Sequence, residues 1–131
     1  MKRLVVSMLL SIICQWAGAS GFEITGNCEL AYRSMMQLNF ATAENFLSKE
    51  KVVNPDNAAV HYIEHYKDFL KAFITEEDHD YFQLKNNLEK RIGFIEKVAI
   101  TSPWVNMAKG EMLMQLAILK LKRKEYLSAG Y

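Results

Sequence analysis

The sequence has little that would break a helix and only two cysteines to staple one chain segment to another. Only two of its 131 residues are proline and only six are glycine. Proline removes a backbone donor and glycine adds backbone freedom, so their scarcity favours long helices with few interruptions. No stretch of useful length alternates between apolar and polar residues, which excludes an extended sheet. Neither charge dominates: 16 cations face 15 anions, for a net charge of +1. This near balance removes any general attraction to nucleic acid or acidic lipid. No apolar run is long enough to span a bilayer. What the chain does contain is a 50% hydrophobic composition with 24% charged residues. That composition excludes disorder and suits one globular domain with a real core.

The first nineteen residues have the layout of a signal peptide. Lys2 and Arg3 precede an apolar run from Leu4 to Cys14, and Ala17-Gly18-Ala19 supplies the small-x-small pattern of a cleavage site. Cleavage after Ala19 is expected, giving an exported, periplasmic or secreted protein that begins at Ser20. Two alternatives remain. A lipoprotein would use Cys14, although Ile13 stands where a small residue is required. An uncleaved leader would make a membrane-tethered adaptor. Cleavage removes two of the 16 cations, so the mature chain carries a net charge of −1. It also leaves Cys28 without a partner in the chain, either as a buried thiol or as half of an intermolecular disulfide.

Residues 20–26 are short, polar and punctuated by glycine, as expected of a linker. Helical periodicity then starts, with Leu30, Ser34, Leu38 and Ala31, Met35 on neighbouring stripes, and Asn39 interrupts it. Residues 41–50 read as a short helix with Ala43, Phe46 and Leu47 inward, ended by Asn54-Pro55-Asp56. A longer helix is predicted over 57–74, with Val60, Ile63, Leu70 and Phe73 on one side and Tyr62, Tyr66 and Phe69 widening the stripe. Thr75 reads as the cap of the next helix, where Glu76 and Glu77 favour the positive end of the dipole. Tyr81, Leu84, Leu88, Ile92 and Ile95 carry that helix over five turns. Ser102-Pro103 opens a fourth long helix, with Met107, Met112, Leu113, Leu116 and Ala117 as its apolar side. The cations from Lys120 to Lys124 close it. The fold class is therefore all-α.

Two places share a spacing. Leu30 and Ala31 are followed by Phe40 and Ala43, and Leu116 and Ala117 by Tyr126 and Ala129, at the same intervals. A small residue on each helix lets the pair approach closely, and an aromatic plugs the turn. Together with Pro55 after the first copy, these residues resemble the tetratricopeptide repeat. Alanine replaces its glycine in both copies, and Glu50 stands where the repeat usually has alanine. The copies lie 86 residues apart (117 − 31), which is not a multiple of the usual period of about 34. The resemblance implies a domain over 27–131 of antiparallel helical hairpins stacked as a solenoid, at about 27–54, 57–101 and 103–131. On this reading the last hairpin is incomplete, because residues 125–131 supply only about two turns of its second helix. The wider string, including Arg91-Ile92 to Glu96 and Ser102-Pro103-Trp104, is similar to the start of secreted repeat proteins of Bacteroidetes-type bacteria. It implies no known reaction.

Candidate chemistry is sparse. His61-Tyr62-Ile63-Glu64-His65 spells the H-x-x-E-H of inverted zinc peptidases, whose two histidines can share a metal while the glutamate acts as base. The large α/β domain and further carboxylate ligand of those enzymes are missing, so His61 and His65 are weak metal candidates in a metal-dependent hydrolase. Lys120, Lys122, Arg123 and Lys124 read as a solvated helix end rather than a nucleic-acid or lipid patch. Tyr62, Tyr66, Phe69, Phe73, Tyr81 and Phe82 concentrate aromatics in the middle hairpin, as core or as a ligand groove. The expected function is non-enzymatic: an exported module for protein interaction or scaffolding, without a cofactor. Its expected partner is another protein or a missing C-terminal region of the same chain. No nucleic acid is expected, and no membrane once the leader is lost.

Overall fold

The computed structural model describes residues 21–125, and the expected leader, Tyr126 and Ala129 lie outside them. The described residues form five helices and no strand: α1 (Gly26–Met36), α2 (Phe40–Val53), α3 (Ala58–Thr75), α4 (Asp78–Val98) and α5 (Trp104–Lys122). Local chemistry explains most of the boundaries. The Thr25 hydroxyl accepts from the Cys28 amide at the start of α1, and the Asn39 carboxamide from Thr42 at the start of α2. Asn57 accepts from Ala59 at the start of α3, two residues after Pro55.

The start of α4 differs from the sequence expectation. Its N-cap is Glu77, which makes no side-chain cap bond, while Thr75 is the last residue of α3. The Thr75 hydroxyl accepts from the Glu77 amide and donates to Asp80, so it braces the turn rather than capping the helix. At α5 the sequence suggests Ser102 as cap with Pro103 in the first turn, but the N-cap is Pro103 and the Ser102 hydroxyl accepts from the Trp104 amide just before the helix.

α3 touches every other helix. α1 packs on α2 and α3, α4 packs on α3 and α5, and no contact joins α2 to α4 or α1 to α5. The core follows this arrangement. Cys28, Ala31 and Met35 of α1, Ala43 and Leu47 of α2, and Ala59, Val60 and Ile63 of α3 are all buried. Tyr81, Leu84 and Leu119 form a smaller cluster at the far end of α3, and Leu116 packs against both clusters.

Residues 21–23, read from sequence as linker, are pinned to the helices. The Ala58 amide donates to the Gly21 carbonyl at 2.7 Å, Glu23 and Asn57 exchange two hydrogen bonds, and Phe22 is buried. Gly21 has φ +70°, and a Cβ there would lie 2.1 Å from the Val98 carbonyl oxygen, so only glycine fits.

Glu50, the departure from the repeat pattern, is 1% exposed. It accepts from Asn54 and Asn57, and from Asn27 at the start of α1. Burial alone would raise its pKa, but these amide donors outweigh it and hold the carboxyl below its ordinary range. Glu50 thus ties α1, α2 and α3 at one point, which alanine could not do.

Candidate binding faces of the third helix

The two sides of α3 carry opposite chemistry because aromatic and charged residues each recur at helical spacing, half a turn apart. Tyr62, Tyr66, Phe69 and Phe73 form one row. Successive rings lie 5.8–6.4 Å apart, within the range of favourable tilted and edge-to-face contact. Phe22 extends the row at 6.0 Å from Tyr62, and Tyr32 of α1 meets Tyr66 at 6.1 Å. The row is only partly covered: Tyr32 and Phe73 are 40% and 39% exposed. α5 supplies a polar group at each end. Glu111 accepts from the Tyr62 hydroxyl at 2.5 Å, and the Lys122 ammonium lies 4.0 Å from the centre of the Phe73 ring. Burial, then Glu111, pushes the Tyr62 hydroxyl pKa up, so it remains a donor. Tyr81 and Phe82 do not join this row. Tyr81 is buried on α4, donates to Glu125 and has its pKa pushed up to about 12 by burial and then by that carboxylate.

The opposite side of α3 faces the gap between α2 and α4. Asp68 is buried and takes a 2.7 Å ion pair from Arg91 of α4. Lys67 pairs with Glu44 of α2, Lys71 with Asp80 of α4 at 2.9 Å, and Glu64 with Lys51 of α2. For Asp80, burial raises the pKa, but the Lys71 and Thr75 hydrogen bonds prevail and lower it. A cleft of ≈ 460 Å³ opens between Lys51, His61, Lys90, Phe94 and Lys97.

Within the H-x-x-E-H motif His61 Nδ1 lies 3.8 Å from Glu64 Oε2, while His65 turns to another helix. His61 stacks on Phe94 of α4, its ring centre 4.1 Å from that of the phenylalanine. His65 is fully buried, and its Nε2–H donates to the Met112 carbonyl of α5 at 3.2 Å. Burial first, then the nearby Arg91, lowers its pKa to about 4, so the ring is neutral near pH 7. Glu64 is engaged by Lys51. Among the described residues no group of three His, Cys, Asp or Glu is disposed to hold a metal ion.

The repeat-spacing residues divide. Ala31 and Ala43 are fully buried, Phe40 packs against the core, Leu116 and Ala117 are half-buried, and Leu30 is 45% exposed. Pro55 is exposed in the α2–α3 turn. On α5 the buried residues are Ala108, Met112, Gln115 and Leu119. Of the five residues expected inward there, Met112 is buried, while Met107 and Leu113 are largely exposed. The basic cluster at the end of α5 folds back on the α3–α4 turn. Lys122 pairs with Glu76 and Arg123 with Asp78, and the Arg123 guanidinium also covers the Tyr81 ring. Cys28 is a buried free thiol whose pKa burial raises.

Sequence reasoning missed Arg91, Asp68 and the gathering of amides on Glu50. Glu64 and Asp68 stand four apart amid apolar neighbours, and that spacing was the available sign of a polar seam. No described helix is long and apolar enough to cross a membrane. The chain matches no protein-family model, no curated protein and no solved structure.

Proposed function

We propose that this chain is an exported, non-enzymatic module of stacked helical pairs, similar to tetratricopeptide repeats, that binds a segment of another protein. The aromatic row of α3 would be the docking surface. The pattern of helix contacts supports the stacked reading: α3 touches both α1 and α5, while α2 and α4 each sit against two helices and not against each other. The observation that carries the binding reading is the half-covered row from Tyr32 through Tyr66 to Phe73. Rigid aromatic surface of this kind is enriched where proteins meet. Glu111 at one end sets the polarity of the guest, while Lys122 at the other is already paired with Glu76. The fitting partner is a short apolar segment with a cation near Glu111.

Site-directed photo-crosslinking in the producing cell tests this. A photoreactive phenylalanine derivative at position 66 should yield one discrete cross-linked partner, and the same group at Lys85 on α4 should not. Phe73→Ala should weaken that cross-link at least several-fold. Equal labelling from both positions would overturn the proposal. N-terminal sequencing of the exported product should begin at Ser20, and retention of residues 4–14 would overturn the export reading.

A further inference from the structure

The cleft on the charged side of α3 has a volume of ≈ 460 Å³, within the range of small-ligand sites. Charge does not cancel in it. Lys51 is matched by Glu64, and Arg91 by Asp68. Lys90 and Lys97 also line the cleft, are exposed, and have no ion pair among the described residues. Glu96, beside Lys97 in sequence, pairs with Lys109 of α5 instead. Two positive charges are therefore left over here, in a chain whose overall charge nearly cancels.

Arg91 is engaged on one side of its guanidinium only. The residue is 9% exposed, and its Nη2 donates to Asp68 while Nη1 is buried without a hydrogen-bond partner. Buried donors in folded proteins are nearly always satisfied, and a guanidinium nitrogen bonds most strongly to an anionic oxygen. The cleft that Arg91 lines is where such an oxygen would sit.

Gly93 points the same way. Glycine weakens a helix interior, and this one lies inside α4. A Cβ at Gly93 would meet nothing within 4 Å, so no neighbour demands glycine there. Its missing side chain leaves room in the cleft that it lines. His61, half-buried against Phe94, forms another part of the wall. Burial is the main cause that lowers its pKa. Glu64 opposes this, while Lys51, Arg91 and Lys90 add to it, so a neutral ring faces three cations near pH 7.

We infer that this cleft binds a small phosphate monoester, whose oxygens accept from the ammonium groups of Lys90 and Lys97 and from Arg91 Nη1, with its organic part against Phe94. A phosphate monoester carries about two negative charges at neutral pH, which matches the excess, whereas a single carboxylate would leave one cation unmatched. The cleft lies on the side of α3 away from the aromatic row, so this inference stands whether or not that row binds a protein.

Isothermal titration calorimetry of the whole chain with phenyl phosphate, near neutral pH and at roughly 0.1 M salt, tests it. The expected result is saturable one-to-one binding. Lys90→Glu combined with Lys97→Glu should weaken it at least about tenfold, because two attractive charges become repulsive. Both lysines are exposed and unpaired, so this variant should keep the helical circular dichroism of the parent. Lys85→Glu, on α4 but outside the cleft, should change the affinity by less than about twofold. Benzoate, an aromatic ligand with one charge, should bind at least about tenfold more weakly. In NMR titrations phenyl phosphate should raise the His61 pKa by about half a pH unit or more, because a nearby dianion favours the imidazolium. No saturable binding at millimolar phenyl phosphate would overturn the inference. So would binding that survives the double charge reversal, equal affinity for benzoate, or an unmoved His61.

Discussion

The two sides of α3 differ in what holds them. Toward α1 and α5 the helix presents rings in mutual contact, with one strong hydrogen bond from Tyr62 to Glu111. Toward α2 and α4 it presents Glu64, Lys67, Asp68 and Lys71, each engaged by a charge on a neighbouring helix. Ring packing is tolerant of small shifts and leaves apolar surface exposed at Tyr32 and Phe73. Paired charges are intolerant, because a shift of one turn would set a buried charge against nothing. One side of the helix therefore fixes its position, and the other is the side proposed to bind.

The most severe break in this comparison is at the buried pair. Arg91→Ala leaves the carboxylate of Asp68 buried, with Lys67 as its remaining close cation at 3.6 Å. Urea unfolding should show a loss of about 3–5 kcal/mol. A loss below about 1 kcal/mol would mean that the charged side does not fix the helix.

Acid acts through His65, at the junction of α3 with α5. Its pKa of about 4 in the fold lies below the ordinary 6.5 of the unfolded chain. Between those values the unfolded state binds more protons, so stability falls as pH drops from 6.5 to 4. The loss amounts to about 3 kcal/mol from this residue, at ~1.4 kcal/mol for each pH unit of the interval. His61, lowered mainly by burial, adds in the same direction. In His65→Gln most of this slope should vanish, and chemical denaturation at pH 7 and pH 5 would reveal it.

The aromatic side should respond more gently. Tyr66→Ala removes a half-buried ring and should cost about 1–2 kcal/mol, less than full burial would imply. Thermal unfolding of this variant beside Arg91→Ala compares the two sides directly. The smallest change is Tyr62→Phe, which keeps the ring and removes the hydrogen bond to Glu111. It should cost about 0.5–1 kcal/mol by calorimetry, and a cost as large as that of Tyr66→Ala would mean that the hydroxyl matters as much as the ring.

Much of this architecture is legible in the residues. Periodicity located all five helices, because Ala31, Ala43, Leu47, Ile63, Leu84, Leu88 and Ile95 recur at spacings that only a helix turns inward. Asn39 and Pro55 marked the turns through chemistry local to them. The inward side of α5 was not legible, because apolar residues lie all round that helix and periodicity cannot choose between two apolar sides. The cap of α4 was misplaced because Thr75 hydrogen-bonds forward in the way a cap does, while belonging to the preceding helix. Of the two faces of α3, the aromatic stripe could be read from its spacing. The Arg91–Asp68 pair could not, since its partners lie 23 positions apart on different helices.

The helix-contact pattern has a consequence for how the chain folds. The closest helix partners, α1 with α2 and α3 with α4, are neighbours in sequence, joined by connections of three and two residues. Such short closures lose little chain entropy, and proteins dominated by them reach the native state in roughly microseconds to milliseconds. The docking of residues 21–23 is different in kind, since Gly21 must find the end of α4 across most of the described chain. Assembly is thus fast within each pair, and the N-terminal clasp is the step with the longest search.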